Sequence, residues 1–159
     1  MTGFDEFVGR LDHPVYVVTA TADGESAGCL VGFATQCSLE PPRFAVWISK
    51  ANHTFGVARR AGLLVVHLLP QDRHDLAALF GGESGDSVDK FARVPWRSGP
   101  GGTPVLADAL AWFAGRVEST ADWGDHVGFS LAPVAGSGAG EARPLFFGDV
   151  RDITAGHPA

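Results

Sequence analysis

Pro14-Val15-Tyr16-Val17-Val18-Thr19-Ala20 and Ala27-Gly28-Cys29-Leu30-Val31-Gly32-Phe33 stand on either side of Asp23-Gly24. β-Branched and aromatic residues crowd both flanks, and an Asp-Gly pair accepts the left-handed backbone of a two-residue turn. The stretch therefore predicts a β-hairpin. Toward the N-terminus, Phe4, Phe7, Val8 and Leu11 recur at helical spacing behind a Thr2/Asp5 capping pair, so an amphipathic helix precedes the hairpin and ends at His13-Pro14. Toward the C-terminus, Thr35-Gln36-Cys37-Ser38 reads as a polar strand exit closed by Pro41-Pro42, and strands follow over 43–48 and 63–69. Between these two, a short helix fits 55–61. Asp72 is placed to cap a further helix carrying Leu76, Leu79 and Phe80, which Gly81-Gly82 closes. Residues 92–103 read as loop, residues 110–119, 127–134 and 143–150 as strands, and the glycine-rich 136–140 as a flexible connection. Some seven strands with few short helices and no regular βα alternation predict a mainly β, barrel-like domain, not a doubly wound parallel sheet.

Composition agrees with one packed domain over 1–159. Of 159 residues, 45% are apolar and 19% charged, with eleven Phe and four Trp, which is ample for a core. Gly and Pro make up 31 positions, above the usual twelve per cent or so, and they recur without a fixed period, as turns between short strands do. A formal charge of −6 with twelve dispersed Lys and Arg argues against nucleic acid as a partner, because phosphate neutralisation needs a basic stripe. Cys29 and Cys37 form no CxxC, which excludes a zinc ribbon or disulfide framework and suits a reducing compartment. No apolar run approaches membrane-spanning length, and the acidic start is unlike a signal peptide. A cytoplasmic protein without membrane attachment is the expectation.

Several motifs resemble catalytic signatures without their context. Gly24-Glu25-Ser26-Ala27-Gly28 matches G-x-S-x-G, but a hairpin surrounds Ser26 where a strand-to-helix elbow is needed, so it reads as a turn hydroxyl. Neither Gly81-Gly82-Glu83-Ser84-Gly85 nor residues 136–140 have phosphate-loop or dinucleotide spacing. The six histidines lack H-E-x-x-H or H-x-H spacing, so a metal site would need long-range convergence, and none is expected. His67, between Val66 and Leu68, reads as a hydrogen-bonded, partly buried side chain, and His74 as solvated.

Two stretches have ligand chemistry. Ser49-Lys50-Ala51-Asn52-His53-Thr54 leaves a strand and enters a helix, offering backbone N–H groups, hydroxyls, an amide and a cation to an anion; the same residues also suit an ordinary helix cap. In Gly32-Phe33-Ala34-Thr35-Gln36-Cys37-Ser38, Gly32 and Ala34 let a flat ligand approach the backbone, and Thr35, Gln36 and Ser38 offer hydrogen bonds; the alternative is a turn that satisfies only itself.

In chain order, Val17-Val18-Thr19, residues 24–28, residues 32–38, Glu40-Pro41-Pro42, residues 49–54, Phe80-Gly81-Gly82, Asp89-Lys90-Phe91, Gly124-Asp125-His126 and Arg143-Pro144-Leu145 resemble the flavin reductase-like family with an FMN-binding split barrel. The likeness covers about residues 12–151. It implies a homodimeric antiparallel split β-barrel that binds FMN, or FAD, and takes hydride from NADH or NADPH, some members handing reduced flavin to a partner monooxygenase. An alternative within the same likeness is a flavin or deazaflavin carrier or sensor that does not oxidise NAD(P)H. By the same resemblance Gly32, Phe33, Ala34, Thr35, Gln36 and Cys37 line the isoalloxazine, and Ser49, Asn52, His53 and Thr54 hold the phosphate with charge added by Lys50. Phe91 falls near the flavin. His126 faces the nicotinamide as the residue expected to act in catalysis, with Asp125 as a turn residue or the fixer of its tautomer. The chain departs from the family at Gly32-Phe33-Ala34, where many members carry Ser-Ser-Phe, and at Asp149, where a basic residue is common.

Overall fold

A computed structural model describes residues 2–83, 89–138 and 140–157. Ser84, Gly85 and Ala139, in the two glycine-rich stretches considered above, lie outside the described residues. Asp23 and Gly24 have φ of 52° and 76°, the double left-handed turn that the Asp-Gly pair permits. On either side, β1 (Tyr16–Ala22) and β2 (Glu25–Val31) pair antiparallel from Tyr16 opposite Val31 to Ala22 opposite Glu25.

Five further strands complete an antiparallel sheet: β3 (Ala34–Ser38), β4 (Arg43–Ser49), β5 (Leu63–Leu68), β8 (Ala111–Asp122) and β9 (His126–Ser137). Their order is β2-β1-β5-β8-β9-β4-β3. The two edges, β2 and β3, are thus consecutive in the chain and joined only by Gly32-Phe33. The fold is mainly β, with three short helices: α1 (Thr2–Gly9), α2 (His53–Ala58) and α3 (His74–Gly82).

Strand alternation sends side chains of β1 to two cores. Val18 and Ala20 join Val46, Ile48, Leu64, Val66, Phe129 and Leu131 beneath Val57 of α2. Val15 and Val17 join Leu69 and Leu106 beneath Leu76, Ala77 and Phe80 of α3. Both faces of β1 are therefore covered, which explains why apolar residues follow one another from Tyr16 to Val18 without polar alternation. His67, fully buried in β5, donates from Nδ1 to the Val17 carbonyl at 2.9 Å and accepts at Nε2 from the Leu106 N–H at 3.0 Å. Burial pushes its pKa down to about 4. The imidazole is a neutral structural clamp, as its apolar setting suggests.

Several local expectations are corrected. Residues 35–38 are not a strand exit: β3 pairs with β4 as an edge strand, with a register shift between Gln36 and Ser38. Residues 92–103 are not simply loop, because β6 (Trp96–Ser98) pairs with β7 (Pro104–Leu106) around a turn at Pro100–Gly102. Strands of three residues are too short to show periodicity among so many Gly and Pro. Asp72 does not cap α3. The helix begins at His74 after Arg73, whose guanidinium instead pairs with Asp75 and Asp108. Most of the strand expected at 143–150 is absent: single bridges join Pro14 to Phe146 and Pro70 to Pro144, then Phe147–Val150 turns as a 3-10 helix. Asp149 causes that turn, since its carboxylate accepts the Phe146 N–H at 3.0 Å. The α1 helix forms as expected, yet Phe4 and Phe7 stay exposed and none of its residues is buried.

Candidate functional site

Where β2 leaves one sheet edge and the chain crosses to β3, a cleft of about 260 Å³ opens. Its floor is Cys29, Leu30 and Val31 of β2 with Phe80 and Gly81 of α3; its far wall is Trp47, Ile48 and Ser49 of β4. Gly32 and Phe33 form the crossing itself, and His126 stands at the start of β9. Residues 147–157 supply the remaining wall through Phe147, Val150, Ile153 and His157.

Glycines bring these walls together. A Cβ on Gly28 would lie 2.9 Å from Phe80 Cε1, and one on Gly81 would lie 2.8 Å from Leu30 Cδ2. Both positions must lack a side chain for α3 to rest on β2. Lys90, a residue only 5% exposed, fastens the same junction from behind: its ammonium donates to the carbonyls of Gly28 (2.9 Å) and Phe80 (3.1 Å), and burial lowers its pKa. Burial also pushes the Cys29 thiol up to about 11, against smaller opposing effects of Lys90 and a Thr54 hydrogen bond. Cys29 is therefore a protonated, apolar part of the floor and not a nucleophile.

At the β4 end lies a polar corner. Ser49 is 7% exposed, and its Oγ accepts the Ala51 N–H at 3.2 Å, which leaves its O–H free to donate. Asn52 caps α2, its Oδ1 accepting from the Thr54 N–H at 2.9 Å, so its Nδ2 turns toward the cleft. On the neighbouring strand, His126 pairs across from Ser49, and Asp125 Oδ1 lies 2.7 Å from His126 Nδ1. This hydrogen bond holds the Asp125 carboxyl below the usual range and assigns the imidazole proton to Nδ1, so Nε2 is left for a ligand. The ring leans on Phe33, centroids 4.9 Å apart. No described Asp or Glu lines the cleft, although the chain has eighteen carboxylates and a net charge of −6.

The structure brings Gly32, Phe33, Ser49, Asn52 and His126 together around this cleft. The other residues singled out from sequence lie elsewhere. Thr54 is buried below the corner against Cys29. The Lys50 ammonium pairs with Asp122 at 2.8 Å, and His53 Nε2 meets Glu25 at 3.0 Å in a separate depression outside α2. Phe91 packs behind Phe80, and Ala34 against the core. Thr35, Gln36 and Cys37 are exposed on edge strand β3, Cys37 beside a groove with Trp47 and Trp123. Sequence reading missed the floor and the outer wall. The alternation of β4 could have revealed Trp47, which shares a face with Ser49; nothing in the pattern indicates residues 147–157.

A family model described as a flavin reductase like domain matches residues 8–154. The FMN reductase (NADH) RutF of Methylorubrum extorquens is 31% identical over 149 residues, covering 93% of this chain and 72% of that one. The reductase subunit HsaB of a flavin-dependent monooxygenase from Rhodococcus jostii is likewise 31% identical over 149 residues, covering 91% and 72%. Among solved structures, nitrilotriacetate monooxygenase component B from Mycobacterium thermoresistibile superposes with a TM-score of 0.81 at 25% identity, covering 92% of this chain and 81% of that one.

Proposed function

This chain belongs to the flavin reductase like domain family, and from that membership and the cleft we infer that it is an NADH- or NADPH-dependent flavin reductase. The observation that carries the assignment is the chemical division of the cleft: an apolar slot free of carboxylates, ending in a hydroxyl and an amide. A planar aromatic ring with an anionic tail fits that division; a cationic or sugar-like ligand does not. The flavin ring would lie against Gly32, Phe33, Val31 and Trp47, and its phosphate would meet Ser49 and Asn52. Bound there, flavin supplies the acceptor for hydride from a reduced nicotinamide. The chain's own task is to position and to exclude water. Phe33 and His126 form the open rim, His126 presenting Nε2 to the nicotinamide carboxamide while Asp125 fixes its tautomer.

We propose that the sheet closes as a split barrel with the cleft in its seam; the two-residue link supports this, because it holds the joined ends of the two edge strands within about 11 Å. We further propose that two copies pair, covering the exposed Leu39 and Trp123 and giving Ala34, Thr35, Gln36 and Cys37 a role toward flavin at the interface. The protein would act in the cytoplasm, where Cys29 and Cys37 stay reduced, and pass reduced flavin to a monooxygenase. The test is the fall in NADH absorbance when FMN or FAD is added to purified protein. Absence of flavin-dependent oxidation with either nicotinamide would overturn the enzymatic assignment.

A further inference from the structure

The outer wall of the cleft, residues 147–157, is anchored along its length. The Phe147 N–H donates to the His13 carbonyl at 2.7 Å, the Gly148 N–H to Asp12 at 2.9 Å, and Asp152 pairs with His74 of α3 at 2.9 Å. A Cβ on Gly82 would lie 3.5 Å from Ile153 Cγ2, so the segment rests directly on the end of α3. Its far end brings His157 Nε2 to 3.1 Å from Asn52 Nδ2.

Asn52 fixes the sense of that contact. Because Oδ1 is committed to the Thr54 N–H, Nδ2 is the donor, and the lone pair of His157 Nε2 accepts. One N–H of the amide is thereby used; the second remains for an oxygen inside the cleft. His157 thus stands at the end of the slot where the phosphate would lie.

We propose that His157 is a specificity-determining residue that closes the phosphate end of the cleft, selecting a flavin that terminates in a phosphomonoester over one that continues through a pyrophosphate to adenosine. The proposal rests on the flavin assignment above. A mononucleotide stops at its phosphate and can be enclosed. A dinucleotide must pass the point where the imidazole sits, displacing it and depriving Asn52 of its acceptor, a loss on the order of tenfold in affinity.

Quenching of flavin fluorescence by the full chain, without nicotinamide, measures this for riboflavin, FMN and FAD. The wild type is expected to bind FMN at least tenfold more tightly than FAD. His157→Ala is expected to bring the two within about threefold, while His157→Gln, whose amide oxygen can accept from Asn52, keeps the preference. Equal affinity of the wild type for FMN and FAD, or an unchanged ratio in His157→Ala, would overturn the role of His157. Failure of the wild type to bind any of the three flavins would instead overturn the assignment of the cleft, and this proposal with it.

Discussion

Acidification should weaken the fold through His67 before it affects the carboxylates. Its imidazole is fully buried, with both nitrogens in backbone hydrogen bonds and a pKa lowered from 6.5 to about 4. Above pH 6.5 neither the folded nor the unfolded chain is protonated at this position, and its contribution is complete. As pH falls toward 4, the unfolded chain takes up a proton that the folded chain refuses, so stability declines with a limiting slope of about 1.4 kcal/mol per pH unit. Below about 4 both states are protonated and the loss levels off. The total is roughly 3 kcal/mol, a large part of a domain's usual margin. Urea unfolding at half-unit steps from pH 7.5 to 4.5 measures it, with His67→Gln as the reference. That variant starts less stable by about 1–3 kcal/mol, because one amide cannot reproduce both hydrogen bonds, but its dependence on pH over this range is flatter. Asp75, Asp125, Asp152 and Glu118, all held low by basic partners, give up their contributions only as pH falls below the ordinary carboxylate range, and they do so in both proteins. Parallel stability curves for wild type and His67→Gln between pH 6.5 and 4.5 would refute the reasoning.

Four other outcomes test the site. In Gly128→Ala the new Cβ would sit 2.6 Å from Trp47 Nε1, so stability should fall by about 1–3 kcal/mol and flavin affinity with it; a variant matching wild type in both would show that the indole can move aside. Asn52→Ala should cost about 1 kcal/mol as a lost helix cap and weaken FMN at least tenfold while affecting riboflavin, which has no phosphate, much less. Equal losses for the two flavins would remove Asn52 from the phosphate. Lys50→Gln should change FMN affinity less than twofold, because the ammonium is held by Asp122; a tenfold loss in the same titration would show it reaching the phosphate instead. His126→Ala should slow NADH oxidation at least tenfold with FMN affinity intact, and unchanged turnover would dismiss its role at the nicotinamide.

Sequence revealed most where local chemistry and tertiary role coincide. Asp23-Gly24 specifies its turn regardless of what surrounds it, and the runs around it are apolar because both faces of β1 are covered. His67 was legible for the same reason: a histidine between Val66 and Leu68 in a strand has to be buried and satisfied. At the cleft, Ser49 and Asn52 could be named because strand end and helix start adjoin in the chain. Lys50 and His53, in the same six residues, turn away from the cleft, which spacing does not reveal. Their direction depends on Asp122 and Glu25, which lie far away in sequence. The 143–150 segment was misread because its apolar residues suggest a strand, whereas a single carboxylate, Asp149, bonded to the Phe146 N–H, turns the backbone out of extended form.

The position of the cleft follows from one topological fact. Antiparallel strands adjacent in sequence usually sit side by side, yet β2 and β3 occupy opposite edges with only two residues between them. The link between them, Gly32-Phe33, lines the cleft, and α3 packs close against β2 there because Gly28 and Gly81 carry no side chain. Lys90 ties the two walls together by donating to the Gly28 and Phe80 carbonyls beneath the floor. Replacing Lys90 with Met would keep the volume but leave two buried carbonyls without that donor. Lys90 does not line the cleft, so a fall in flavin affinity on altering position 90 would report on the junction of β2 and α3 and not on a lost contact, and unchanged affinity would show that the junction holds without it.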